Sequence, residues 1–177
     1  MDKHIVDEIA GFYRVISLVP FRRTPGVAFD MFPMQFLPKI DGIDRVMHAN
    51  DAVSPGPVEG VARPWYMHPL QEDNLIVLSG VRTVDIYTLE HRRMLTFVVE
   101  PDRIIKNGTL LYDGPAMLVW PTRVFHRIQS GPHGSASLNF AVRLPGIDMR
   151  TNFNIYDLDI EANTFRVLRE GALDQTG

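Results

Sequence analysis

The chain contains no cysteine, which removes disulfides and thiolate metal ligands from consideration at once. That suits a reducing compartment, and a cytoplasmic protein is expected. It also lacks any apolar run approaching the roughly 20 residues that a membrane-spanning helix needs. Its opening residues, Met1-Asp2-Lys3-His4, begin an amphipathic stretch rather than a signal peptide. Charge of one sign is missing too: 18 Lys+Arg against 21 Asp+Glu leave a net charge of -3. Such a balance offers no basic footprint for nucleic acid and no attraction to an anionic membrane. Internal repeats and low-complexity segments are absent. What remains is the composition of an ordinary folded globule, 45% hydrophobic and 22% charged over 177 residues, enough for one domain with a buried core.

The first fifty residues have a texture of their own. Apolar residues recur at Ile5, Ile9, Phe12 and Ile16, a spacing of three to four that predicts a short helix over Ile5–Leu18. Pro20 ends it, because proline removes a donor and clashes with the preceding turn. Phe29 to Ile40 carries Phe29, Met31, Phe32, Met34, Phe36 and Leu37 with Pro33 and Pro38, which excludes a helix interior or a central strand. It reads as an extended arm laid over apolar surface, covering a sheet edge or reaching a second subunit. Asn50 to Pro57 is a loop.

Beyond residue 60 the pattern changes to short β-type runs: Leu75–Leu78, Val84–Leu89, Met94–Val99, Ala116–Trp120, Val124–Ile128 and Leu138–Val142. Asn107-Gly108, Asp113-Gly114, Gly131-Pro132 and Pro145-Gly146 punctuate them. Asn152–Leu158 and Thr164–Leu168 read as a closing hairpin. Many short strands without intervening helices argue for an all-β sandwich, jelly roll or small barrel, and periodicity alone leaves the three open.

Two stretches narrow the choice. Gly60 to Gly80 reads G-VARPW-Y-M-H-PLQE-D-NLIVLS-G, and Gly114 to Ser130 reads G-PAMLVW-P-T-R-VF-H-RIQ-S. Together they resemble the two motifs of the cupin superfamily. Tyr66 stands at the first motif histidine, Asp73 at the glutamate, Arg123 at a glycine and Ser130 at the asparagine, with one residue inserted before Pro121. His68 and His126 fall at the motif's histidine positions. The resemblance implies a cupin double-stranded β-helix, or jelly roll, over residues 51–177, with the helix and arm of residues 1–50 packed on the barrel or on a partner subunit. It also implies that the motif histidines face the barrel interior. A homodimer is expected, since cupins commonly pair and the apolar arm needs cover.

Tyr66 and His68, two apart on a strand, share a face. If that face is interior, Asp73 and His126 can join them, and two imidazoles with one carboxylate form a triad suited to Fe, Mn, Ni, Co or Zn. Glu72 and Gln71 compete with Asp73, because one residue in the turn decides which side chain faces inward. Arg63 and Arg123, near the expected mouth, offer forks for a carboxylate or phosphate, or pair with neighbouring surface acids. Trp65 and Trp120 are candidate stacking walls or core fillers. His133 reads as a turn residue, and His4, His48 and His91 have no evident partner.

A narrower resemblance lies in NLIVLSGVRTVDIYT after His68, which is similar to dTDP-4-dehydrorhamnose 3,5-epimerases, metal-free jelly rolls that use histidine as a base. Asn74 occupies the place of their lysine, and their tyrosine has no counterpart after His126. Two activities follow as expectations. One is a metal-dependent cupin, oxygenase or isomerase, acting on a small organic acid or sugar-like substrate. In it His68, Asp73 and His126 hold the metal, Tyr66 serves as an acid/base hydroxyl and Arg123 anchors an anion. The other is a metal-free epimerase or isomerase with His68 as general base. A non-catalytic small-molecule-binding cupin is the third reading.

Overall fold

Residues 2–176 are described by a computed structural model in which nearly all regular structure is strand. In chain order these are β1 (Ile5–Ile9), β2 (Tyr13–Ser17), β3 (Val19–Thr24), β4 (Val27–Met31), β5 (Gly42–His48), β6 (Val53–Ser54), β7 (Trp65–Met67) and β8 (Gln71–Tyr87). They continue with β9 (Met94–Glu100), β10 (Arg103–Lys106), β11 (Thr109–Asp113), β12 (Ala116–Trp120), β13 (Phe125–Arg143), β14 (Ile155–Asp159) and β15 (Thr164–Arg169). One short helix, α1 (Met149–Asn152), precedes β14. No helix among the described residues is long and apolar enough to cross a membrane.

The architecture follows from two long strands that bend. The N-terminal part of β8 pairs with the C-terminal part of β13 (Leu75↔Asn139, Glu72↔Val142), and the C-terminal part of β8 pairs with the start of β13 (Ile86↔His126, Arg82↔Ser130). Each half nucleates a layer: β1-β2-β12 and β5 flank the first pairing, and β9-β10-β11 and β7-β14-β15 flank the second. The bend passes through Gly80 and Gly134, both at φ +73. A Cβ on Gly80 would overlap the Gly134 carbonyl oxygen, so only glycine lets the two backbones cross there. The runs read as separate strands, Leu75–Leu78 with Val84–Leu89 and Val124–Ile128 with Leu138–Val142, are therefore each one bent strand. The Gly131-Pro132 punctuation marks a break in register rather than a chain reversal. The Asn107-Gly108 pair, at φ 49 and 79, does close a two-residue hairpin. Among the described residues the hydrogen-bonded path stays open from β1 to β15; it does not close into the expected barrel.

The predicted N-terminal helix is instead the β1–β2 hairpin, turning at Gly11 with φ +73. Its residues satisfy either period, and the sheet decides between them. β2 zips onto β12 (Val15↔Leu118, Ile16↔Met117), with Val15 in the core between the layers and Ile16 on the opposite face. A strand buried on both faces reads as a continuous apolar run, which periodicity cannot tell from a helix. The arm expectation holds only in part. Residues 19–31 form the β3–β4 hairpin, a separate two-stranded sheet, whereas Phe32, Phe36 and Leu37 lie over Ile16, Met117 and Val119 on the outer face. β5, the last strand of the first fifty residues, pairs along β13 from Gly42 to His48.

Candidate active site

Between the layers, on the side of β5 and β7, a cavity of about 290 Å³ remains. His68 enters it just after β7, Asp73 from β8, Trp120 from the end of β12 and His126 from β13. Period two places Tyr66 on this face and sends Trp65 and Met67 to the other, into a cluster with Tyr87, Phe125 and Tyr156. The same alternation orients Gln71 and Asp73 inward and leaves Glu72 beside a separate cleft with Arg14. Of Asp73 and Glu72, therefore, Asp73 faces the cavity.

Asp73 is buried, and each of its oxygens faces two donors. Oδ1 accepts from Gln71 Nε2 (2.9 Å) and Asn139 Nδ2 (2.8 Å); Oδ2 accepts from Trp120 Nε1 (3.1 Å) and lies 3.2 Å from His68 Nε2. These partners are themselves held. Arg143 Nε donates to Gln71 Oε1 at 3.1 Å, and Asn139 Oδ1 accepts from the Asn74 backbone while its Nδ2 also reaches Asp44.

The two imidazoles lie 4.8 Å apart between ring centroids but have different protonation logic. His68 Nδ1 contacts the Asn152 carbonyl at 2.5 Å, and a carbonyl only accepts, so Nδ1 carries a proton. Nε2 then meets a carboxylate oxygen at 3.2 Å, which is attractive only if it carries one as well. His68 is thus an imidazolium. Burial works against its charge, but the Asp73 carboxylate, with the Asn152 carbonyl, outweighs burial and raises its pKa above the ordinary value. Asp73 is correspondingly held far below the usual carboxylate range: burial alone would raise it, and the His68 charge and hydrogen bond overcome that.

His126 Nδ1 donates to the Val124 carbonyl at 3.1 Å, leaving the Nε2 lone pair free, 3.8 Å from Asp73 and outside hydrogen-bonding range. Burial, reinforced by the neighbouring His68 charge, drives its pKa down to about 4. It is a neutral base beside a charged acid. Tyr66 flanks both rings, 6.4 Å from His68 and 5.9 Å from His126, and burial raises its pKa, so it stays a phenol.

The ligand atoms of His68, Asp73 and His126 lie within 4.8 Å of one another, so the three could hold a divalent ion. Three donors other than His68, from Gln71, Asn139 and Trp120, already hold Asp73, so an ion there would take the place of the His68 proton on Oδ2.

Other expected site residues lie elsewhere. Trp65 is buried under the Arg127 guanidinium, 4.2 Å from its ring. Arg63 bonds Gln129 at 3.0 Å outside the cavity. Arg123, at φ +66 in the turn between β12 and β13, donates its backbone N–H to the His68 carbonyl, and its exposed side chain lines a separate surface cleft with Thr88 and Glu90. Arg82 and His48 are among the cavity groups that carried no sequence-level role, with Asp44, Ser54 and Asn139. Arg82 shares the parity of Val84 and Ile86, which face the core, so a charge on the apolar face of a strand was the available signal. On β5 the inward set is Asp44, Val46 and His48, alternating with exposed Ile43, Arg45 and Met47.

No family model matches the chain, and no curated protein sequence matches it either. Solved structures do. A 3,4-ketoisomerase from Helicobacter canadensis is 12% identical with a TM-score of 0.54, over 75% of this chain and 84% of that one. A sugar 3,4-ketoisomerase from Thermoanaerobacterium thermosaccharolyticum, solved in complex with TDP, is 14% identical with a TM-score of 0.53, over 77% and 84%. An RmlC epimerase from Mycobacterium tuberculosis is 7% identical with a TM-score of 0.55, over 76% of this chain and 65% of that one. At these identities the likeness is one of fold: the chain has the jelly-roll fold of these structures.

Proposed function

We propose that the chain is a metal-free isomerase or epimerase acting on a small hydroxy-carbonyl, sugar-like substrate, with His126 and His68 as a proton-exchanging pair. The observation that carries this reading is the juxtaposition of a neutral and a charged imidazole, lining one cavity, with pKa values pushed in opposite directions. Support comes also from the fold neighbours, which are sugar ketoisomerases and an epimerase.

The chemistry follows from the two lone pairs. His126 Nε2 removes the proton from the carbon that bears the hydroxyl beside the carbonyl. His68 Nε2–H, which rests 3.2 Å from Asp73 Oδ2, is shared with the carbonyl oxygen and transferred to it, giving a neutral enediol. Because one ring gains a proton as the other loses one, the pair's total charge is unchanged and no extra charge is buried. Asp73 fixes the His68 ring and stabilises its imidazolium in the resting site. Reprotonation by His126 at the former carbonyl carbon, with loss of the neighbouring hydroxyl proton to His68, moves the carbonyl. The general base expected at His68 is thereby reassigned to His126, since a ring already protonated on both nitrogens has no lone pair to offer. Tyr66 is placed to hydrogen-bond a substrate oxygen.

Incubation with a hydroxy-ketone sugar in D2O tests this reading, with deuterium at the carbon beside the carbonyl followed by NMR. Exchange should survive chelation and fall by about 10²–10⁴-fold in His126→Ala, the usual contribution of a general base. Loss of exchange on metal removal, restored by one divalent ion per chain, would transfer the site to the second reading. That reading is supported by the clustered ligand atoms of His68, Asp73 and His126. There an ion would replace the proton between His68 and Asp73 and supply a Lewis acid for a carbonyl oxygen.

A further inference from the structure

The cavity has a second pole that the proton-transfer pair does not use. Arg82 is 1% exposed, yet its guanidinium lines the cavity. Its Nε donates to Ser135 Oγ and its Nη2 to the Val46 carbonyl, both at 3.0 Å. Among the described residues no carboxylate lies within ion-pair distance of it, and Nη1 makes no hydrogen bond. A buried guanidinium without a counter-charge is costly, and burial alone brings its pKa down to about 10. Beside it, His48 Nδ1 is buried and has no partner. Burial, together with the Arg82 charge, lowers the His48 pKa and keeps that ring neutral, able to donate without adding repulsion. The carboxylates on the same wall are already engaged, Asp44 by Asn139 and Asp73 by its four donors.

We propose that Arg82 and His48 form an anion subsite that seats a carboxylate or phosphate belonging to the substrate itself, while His68 and His126 act on its hydroxy-carbonyl portion. Nη1 and the free hydrogen of Nη2 make a fork matched to two oxygens of one anion, which a lysine could not reproduce. The cavity limits the size of the molecule that brings the anion. At about 290 Å³ it stands at the lower edge of ligand pockets, ~300–1,000 Å³. That suits a single small acid, such as a sugar acid or sugar phosphate, rather than a sugar carrying a nucleoside diphosphate. Arg123, on the outside of the fold, is thereby relieved of the anchoring role expected of it. The substrate class rests on the isomerase reading; the subsite does not.

Calorimetric titration of the full chain in phosphate-free, low-salt buffer tests the subsite without needing turnover. The probes are inorganic phosphate, glucuronate, glucose 6-phosphate, neutral glucose and TDP. Glucuronate and glucose 6-phosphate should bind at least tenfold more tightly than glucose, and inorganic phosphate should compete with both. Arg82→Gln should weaken the acids at least tenfold and leave glucose unaffected, with Arg82→Lys recovering only part of the loss. His48→Phe, which leaves the strand crossing intact, should weaken them several-fold even if the Arg82 variants fail to fold. The subsite is overturned if acids and glucose bind alike, if a folded Arg82→Gln or His48→Phe retains full acid affinity, or if phosphate binds as an adventitious ion only, without competing with the acids. Tight binding of TDP with no binding of the small acids overturns the substrate class. Acid binding without deuterium exchange would remove the isomerase reading and keep the subsite, and exchange on neutral sugars without acid binding would do the reverse.

Discussion

The space between the two layers is split into halves built on the same pair of long strands. On the side of β2, β9, β10 and β12 it is packed solid by Val15, Leu118, Val84, Ile86, Phe97 and Ile104, all essentially inaccessible. On the side of β5, β7 and α1 it stays open, with charged, imidazole and amide side chains among its lining. The inward positions of β9, Leu95, Phe97 and Val99, meet their counterparts as hydrocarbon, whereas those of β5 are Asp44, Val46 and His48. Apolar packing on one side holds the sheets together, and that frees the other side to keep groups whose burial is unfavourable unless each is paired. The hydrogen bonds around Asp73 meet that requirement completely, and those around Arg82 leave it open.

Four measurements would break or sharpen this contrast. The largest effect should come from the packed half: Phe97→Ala is expected to lower unfolding free energy by about 3–5 kcal/mol in urea titrations, since no neighbouring side chain can fill the space. A small loss there would mean that the open half carries the stability. Next is the acid limb. The unfolded chain binds a proton at His126 near its ordinary value of 6.5, while the folded chain resists until about 4. Stability should therefore fall as pH drops from 6.5 toward 4, by up to about 3 kcal/mol from this group, and His126→Gln should flatten that limb. His68 has the opposite sign: its contribution is full below its ordinary pKa and is lost as pH rises through the raised one. The optimum measured by urea midpoints should accordingly lie at neutral pH rather than in acid.

A smaller effect is expected for Trp120→Phe, which withdraws one donor from Asp73 Oδ2 with little loss of volume. It should cost about 1.5–3 kcal/mol for the lost hydrogen bond to a charged acceptor that keeps its His68 partner, and His68 should remain protonated on both nitrogens by ¹⁵N NMR. A neutral His68 in the wild type would remove the acid–base pair. The smallest is Arg123→Ala. Its exposed side chain touches neither half, so stability should stay within about 0.5 kcal/mol and deuterium exchange should be unchanged.

How much of this was legible beforehand varies by residue. Ala116–Trp120 is β12 residue for residue, whereas Leu75–Leu78 with Val84–Leu89, and Val124–Ile128 with Leu138–Val142, merged into single bent strands that the punctuation had divided. The N-terminal hairpin was not legible, because Ile5, Ile9, Phe12 and Ile16 fit both periods and only the free edge of β12 selects the extended form. Motif spacing pointed to His68, Asp73 and His126, and parity along β8 would have exposed Arg82. Asn152, whose carbonyl accepts from His68 Nδ1 from 84 residues away, left no local trace. The same holds for Asn139, 66 residues from Asp73.

By itself, then, the sequence determined the pleat beyond residue 60: which side chains share a face along each strand, and that two histidines and an acid could converge. Only the tertiary structure decided what those groups are chemically. Whether an imidazole is an acid or a base depends on which carbonyl or carboxylate touches each nitrogen and on how much water is excluded. Those partners arrive from distant segments, so no local pattern encodes the result.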